Sequence, residues 1–195
     1  EKGIYSIENF LSARRLMYWQ VYMHKTVVGV ENMLIQIIRR AKELSGDSIT
    51  GNRALNYFLA NAVSLEELSG NEQLMNDFCF LDDYDLLGAM KIWRDHPDRV
   101  LSELCSMLTE RRLFRVLLSG QRFPEEEILE RGNEVQQQLS LSEEERGYFF
   151  VQGMKSNAAY IGGGQKIKVL MKSGEVKDIA FASDLPNIKA MRKIV

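Results

Sequence analysis

Val30-Glu31-Asn32-Met33-Leu34-Ile35-Gln36-Ile37-Ile38-Arg39-Arg40-Ala41 decides the fold class. Val30, Met33, Leu34, Ile37, Ile38 and Ala41 recur with the spacing of one helix face. The pattern predicts an amphipathic helix that stops at the turn cluster Ser45-Gly46-Asp47. Downstream, similar spacing predicts helices over about 52–63, 71–80, 84–94 and 98–111. Asp82 or Asp83 is a natural N-cap for the third of these, and Pro97 suits the first turn of the fourth. Upstream, Ile4 to Lys25 reads as a further helix, with Gly29 marking a break or a close packing point after it.

The composition changes near Leu113. Leu113-Phe114-Arg115-Val116-Leu117-Leu118 reads as a strand ending at Ser119-Gly120. Pro124 opens a helix to about Gln138, and Ser142-x-x-Glu145 is a capping-box signature for a short one over Leu141–Arg146. Tyr148–Val151, Ala158–Ile161, Lys166–Met171 and Val176–Phe181 follow as strand candidates, and Lys172-Ser173-Gly174-Glu175 is a hairpin turn. A helix from Asp184 to about Arg192 closes the chain. The fold class is therefore mainly α: a helical lobe over 1–112, then a smaller α+β lobe over 113–195 with a mostly antiparallel sheet.

The 195 residues suffice for a substantial core, and 45% hydrophobic with 27% charged residues is ordinary for a soluble globular chain. A net charge of −2 gives no overall attraction to nucleic acid, so a nucleic-acid partner is not expected. Cys79 and Cys105 stand apart from each other and from His24 and His96, which argues against a zinc site or disulfide framework and fits a reducing cytoplasm. No signal peptide and no long apolar run suggests a membrane.

Arg14-Arg15-Leu16-Met17-Tyr18-Trp19-Gln20-Val21-Tyr22-Met23-His24-Lys25 carries the chemistry. On a regular α-helix Arg14, Tyr18, Tyr22 and Lys25 fall within an arc of roughly 80°. Such a stripe, cationic at both ends and aromatic between, suits a phosphorylated, ring-bearing ligand. Its ends lie about 16 Å apart along the axis, too far for one phosphate. A solvated surface face carries the same residue types without a ligand.

Other clusters have local explanations. Asp82, Asp83 and Asp85 are candidates for Mg²⁺, but they open a helix, where carboxylates cap N–H groups. Gly162-Gly163-Gly164 lacks a P-loop lysine and a following helix, and reads as a loop between strands. His96, before Pro97, reads as solvent-facing, and His24 adjoins the stripe. Arg111-Arg112 ends a helix, where the dipole favours cations.

Three stretches in this order carry a resemblance. They are Ile4-Tyr5-Ser6-Ile7-Glu8-Asn9-Phe10-Leu11 leading through Ala13-Arg14 to Tyr22-Met23-His24-Lys25, then Phe80-Leu81-Asp82-Asp83-Tyr84-Asp85-Leu86-Leu87 with Trp93, then Glu110-Arg111-Arg112-Leu113-Phe114. Together they resemble the region C-terminal to the metal site in HD-domain phosphohydrolases, the family that includes bacterial relatives of the mammalian SAM-and-HD-domain dNTP triphosphohydrolase.

The resemblance implies that Arg14 holds substrate phosphates and Tyr22 lines the sugar pocket. Tyr18 stands where the mammalian relative has a histidine. By the same resemblance His24, Lys25, Arg111 and Lys2 belong to a regulatory nucleotide site, with dNTP or GTP as ligands and a homo-oligomer, dimer or tetramer, as the assembly. The implied reaction is metal-assisted phosphoester hydrolysis, with the divalent metal in an upstream HD domain. This sequence has no His-Asp dipeptide. The resemblance therefore implies a piece that starts just after the HD domain, stops slightly short of the usual C-terminus, and holds no catalytic or metal residue of its own. Two other readings stand beside it: a non-catalytic, nucleotide-responsive oligomerisation module, and a helical protein- or nucleic-acid-interaction domain.

Overall fold

In the computed structural model the first segment is two helices, not one. The structure describes residues 2–46, 49, 51–158, 167–183 and 192–194. Helix α1 (Lys2–Met17) runs into a π-helical turn over Tyr18–Tyr22. The Met23 N–H donates to the Tyr18 carbonyl at 2.8 Å, one residue further back than an α-helix allows. A new helix, α2 (Lys25–Glu43), then begins. The break thus falls at Met23-His24, and Gly29 lies inside α2. The predicted face of α2 is the buried one: Met33, Ile37 and Ala41 are fully covered, while Ile38, 38% exposed, sits at its margin.

Helices α3 (Arg53–Ala60), α4 (Leu65–Gly70), α5 (Glu72–Phe80), α6 (Asp83–Trp93), α7 (Arg99–Thr109), α8 (Glu125–Gln138) and α9 (Glu143–Phe149) follow. Six of the seven starts are set by side-chain caps. Asn52, Asn71 and Asp98 each accept one backbone N–H of the first turn, and Ser64, Asp82 and Ser142 each form a reciprocal capping box. Asp98 rather than Pro97 is the residue that opens α7. Helix α4 went unread in the sequence although Ser64-x-x-Glu67 announces it.

Two strand expectations fail. Leu113–Leu118 is irregular: among the described residues no strand lies beside it to complete a ladder, and Phe114 packs instead on the helical core. Tyr148 and Phe149 form the last turn of α9, both buried. A short apolar run reads equally as strand or buried helix, and here the capping box decides.

The strands that do form are short. β1 (Ser156–Ala158) pairs antiparallel with β4 (Arg192–Ile194), and β2 (Lys168–Leu170) with β3 (Val176–Asp178), as two separate ribbons among the described residues. The hairpin turn falls at 172–175 as the sequence indicates. Gly174 supplies the left-handed φ of +84° and donates its N–H to the Met171 carbonyl at 2.9 Å. A helical turn, α10 (Ile179–Ala182), takes the second half of the expected Val176–Phe181 strand. The rest of the expected Ala158–Ile161 strand, the Gly162–Gly164 loop and 184–191 of the expected last helix lie outside the described residues; Arg192 is in β4.

The chain divides into two compact units. One comprises 1–28, 116–128 and 152–195; its core is Ile4, Leu11 and Ile179 with Val169 and Met171 against them. In it Glu8 is buried on α1, and its carboxylate accepts the Ser183 hydroxyl. The other unit comprises 29–115 and 129–151. Its core gathers Ile37 and Ala41 of α2, Met90 and Trp93 of α6, Leu101, Leu104 and Cys105 of α7, and Tyr148 and Phe149 of α9. Burial pushes the Cys105 thiol up to about 12, and Cys79 on α5 is exposed. Among the described residues no helix is long and apolar enough to cross a membrane.

Candidate functional site

The π turn builds the most distinctive side-chain arrangement of the first unit. Side chains four apart stack along it. The Tyr18 and Tyr22 ring centroids lie 4.8 Å apart with planes 39° to each other. The Arg14 guanidinium carbon stands 5.0 Å from the Tyr18 centroid, a cation–π distance. Arg14 and Tyr18 are half-buried and Tyr22 is exposed. The three predicted residues thus form one continuous stack: guanidinium, ring, ring. π turns of this kind recur at functional sites, because an extra residue in a turn costs stability that a regular helix would keep.

Lys25 leaves the stripe. It is the first residue of α2, beyond the break, so the single helical arc over Arg14 to Lys25 does not form. His24 occupies the break and is exposed; its Nδ1 accepts the Thr26 N–H at 3.3 Å, which orients the ring at the start of α2. The Lys2 side chain lies outside the described residues.

Arg111 belongs to the second unit. Helix α7 ends in a Schellman pattern: Arg112 N–H donates to Met107 at 2.8 Å and Arg111 N–H to Leu108 at 3.2 Å. Arg111 takes the left-handed position at φ 61°, where glycine is favoured. Its side chain is exposed and makes no hydrogen bond or ion pair among the described residues. Arg112 is engaged, with Glu103 at 3.0 Å and Glu110 at 3.1 Å. An arginine held in a strained conformation with its head group unspent is a better ligand candidate than its neighbour.

The acidic cluster is structural. Asp82 accepts the Tyr84 N–H at 2.8 Å and the Asp85 N–H at 3.3 Å, and Asp85 accepts the Asp82 N–H at 3.0 Å. Asn52 of the α3 cap also donates to Asp85. Among the described residues no group of three His, Cys, Asp or Glu side chains is placed to hold a metal ion.

The sequence reading missed one polar network, in the second unit. Arg40 clamps Asp98 through Nε at 3.1 Å and Nη2 at 2.7 Å, and reaches Glu43 through Nη1 at 3.1 Å. Tyr148 donates its hydroxyl to Glu43, and the Arg39 and Arg40 guanidiniums lie 4.9 and 5.5 Å from its ring centroid. The Arg40 clamp holds the Asp98 carboxyl below the usual range against the pull of burial. Burial pushes Glu43 up, but hydrogen bonds from Tyr148 and Arg40 outweigh it and hold the carboxyl low. His96 is half-buried, not solvent-facing: Nδ1 accepts the Asp98 N–H at 3.0 Å, and Nε2 is buried with no hydrogen-bond partner among the described residues. Only the Arg39-Arg40 pair on the polar margin of the α2 pattern signalled this network.

No family model matches the chain. A crystal structure of a phosphohydrolase from Bacteroides thetaiotaomicron VPI-5482 is similar along the whole chain, with 42% identity and a TM-score of 0.81. The uncharacterized protein YwfO of Bacillus subtilis is 30% identical over 115 residues, 59% of this chain. The chain spans 49% of the length of the phosphohydrolase and 25% of that of YwfO. Over its full length, then, this chain has the fold of about half of a phosphohydrolase.

Proposed function

We propose that these residues are the substrate-clamping, regulatory and assembling part of an HD-domain phosphohydrolase that hydrolyses dNTPs or related nucleotides. The Arg14–Tyr18–Tyr22 stack, on a chain 42% identical throughout to part of a phosphohydrolase, carries the reading. Arg14 draws the phosphate chain and fixes its direction. Tyr22, the exposed end of the stack, packs against the sugar, and Tyr18 holds both in line. His24, Lys25, Arg111 and Lys2 take a second, regulatory dNTP or GTP, and the protein works as a homo-oligomer in a reducing cytoplasm. The divalent metal and its ligands lie outside these residues. On this reading the isolated chain binds nucleotide and does not hydrolyse it.

A thermal-shift titration tests this with dGTP, GTP, the other dNTPs and tripolyphosphate. Ligand at about 100 times its Kd adds about 2.7 kcal/mol. For a chain of this size that is a rise of roughly 5–10 °C. The expected result is a rise with nucleotides and not with tripolyphosphate, lost in Arg14→Ala for the substrate site and in Lys25→Ala or Arg111→Ala for the regulatory one. Equal shifts in wild type and all three variants would overturn the assignment.

A further inference from the structure

Helix α2 carries a second face besides the one that packs inward. Ile37 and Ala41 belong to the core of the second unit. Away from that core, Glu31, Ile35, Ile38 and Lys42 follow one another at spacings of four, three and four. They fall within an arc of about 60° on the helix. Alternating steps of four and three are those of a coiled-coil seam. Ile35 is 57% exposed and Ile38 38%. Single exposed isoleucines are ordinary on a surface, whereas two in register on a seam form a patch.

The surface beside them is concave. A shallow, mostly apolar depression is lined by Ile35, Ile38, Arg39, Lys42 and Glu43. The first four stand at i, i+3, i+4 and i+7, the set that forms the hole for one knob of a facing helix. Arg39 is held in the rim by Glu43 at 3.3 Å and by the Tyr148 ring. The Lys42 ammonium makes no hydrogen bond or ion pair among the described residues.

The seam is its own complement. Laid antiparallel on a second copy of itself, it sets Glu31 against Lys42 and Ile35 against Ile38, twice over. Acid then meets base at both ends, with isoleucines between. A parallel alignment brings like charges together instead. Glu31 also has a contact within its own chain; a carboxylate accepts several donors at once, so Lys42 is served alongside it.

We propose that α2 of one copy docks antiparallel on α2 of a second copy. Ile35 and Ile38 form the centre, and Lys42 of each copy faces Glu31 of the other. The contact is two-fold, the same patch on both partners. It deepens the assembly part of the proposed function and is independent of its nucleotide part.

Sedimentation velocity of the chain across a wide concentration range tests it, with circular dichroism to confirm folding. Ile35→Asp is expected to weaken association at least about tenfold. Lys42→Glu and Glu31→Lys each set like charges face to face at both ends of the seam, and each alone is expected to weaken it about tenfold. The decisive arm mixes these two charge variants. Every facing pair is then opposite in sign again, so the mixture recovers the wild-type association. High salt narrows the differences among the charge variants. Should Glu31→Lys disturb the fold, Ile35→Asp and Lys42→Glu decide the matter. Association that Ile35→Asp leaves unchanged, or a mixture no stronger than its components, would overturn this contact and leave the oligomer of the proposed function standing. A monomeric wild type would overturn both.

Discussion

Trp93→Ala is expected to cost about 3–5 kcal/mol, the range for emptying a large aromatic site in a closed core. Trp93 ends α6 fully buried, among Ile37, Ala41, Leu101, Leu104 and Cys105 from α2 and α7. These neighbours sit on separate helices, each held by its own cap and ladder, so the space does not close when the indole is removed. A loss of this size lowers the melting temperature by roughly 6–20 °C. Trp19, 43% exposed in the π turn, provides the control: Trp19→Ala is expected to cost less than about 1 kcal/mol. Denaturant titration followed by far-ultraviolet circular dichroism reads both. Similar losses from the two substitutions would show that Trp93 is not the centre of that core.

The second large effect lies in the Arg40 clamp. The Arg40 and Asp98 side chains are 26% and 16% exposed, so water screens the pair only partly. Breaking a fully buried pair costs more; here Arg40→Ala is expected to cost about 2–4 kcal/mol at neutral pH, because Asp98 and Glu43 lose their shared counter-charge. Asp98 has a further duty, accepting the Leu101 N–H at 2.9 Å to start α7. Asp98→Asn keeps that cap and loses the charge, whereas Asp98→Ala loses both and is expected to be worse by about 1 kcal/mol.

The pH dependence follows from the direction of the shifts. Asp98 and Glu43 are both held below the ordinary carboxylate range in the folded chain. Their contribution is complete above the unfolded value of about 4 and is lost as pH falls through the lower folded values. The stability gap between wild type and Asp98→Asn is therefore expected to narrow steadily below about pH 4. A gap that stays constant from neutral to acid would mean that the carboxylate charge contributes nothing.

What the sequence made legible was local. The α2 face, the capping box at Ser142 and Glu145, the Asp82 cap and the Gly174 turn each depend on neighbours a few residues away, and each forms as read. What it hid was set by distant partners or by a small change of pitch. Leu113–Leu118 has the residues of a strand, yet a strand exists only where a second one is brought beside it. The stack of Arg14, Tyr18 and Tyr22 was foreseen as a group, but regular α geometry carried the stripe on to Lys25. One additional residue in a turn, which no spacing rule announces, ended it at Met23. The Arg40–Asp98 clamp joins residues 58 apart in sequence, and neither carries a pattern that names the other.

The two cysteines occupy opposite extremes of this structure, one exposed on α5 and one fully enclosed on α7. A thiol reagent needs both access and thiolate. Cys79 offers access in the native state. Cys105, with its ionisation suppressed by burial, becomes reactive only when the packing around Trp93 opens. The chain thus carries its own clock: after a fast first modification at Cys79, the rate of the second counts openings of the helical core, with no label added and no residue changed.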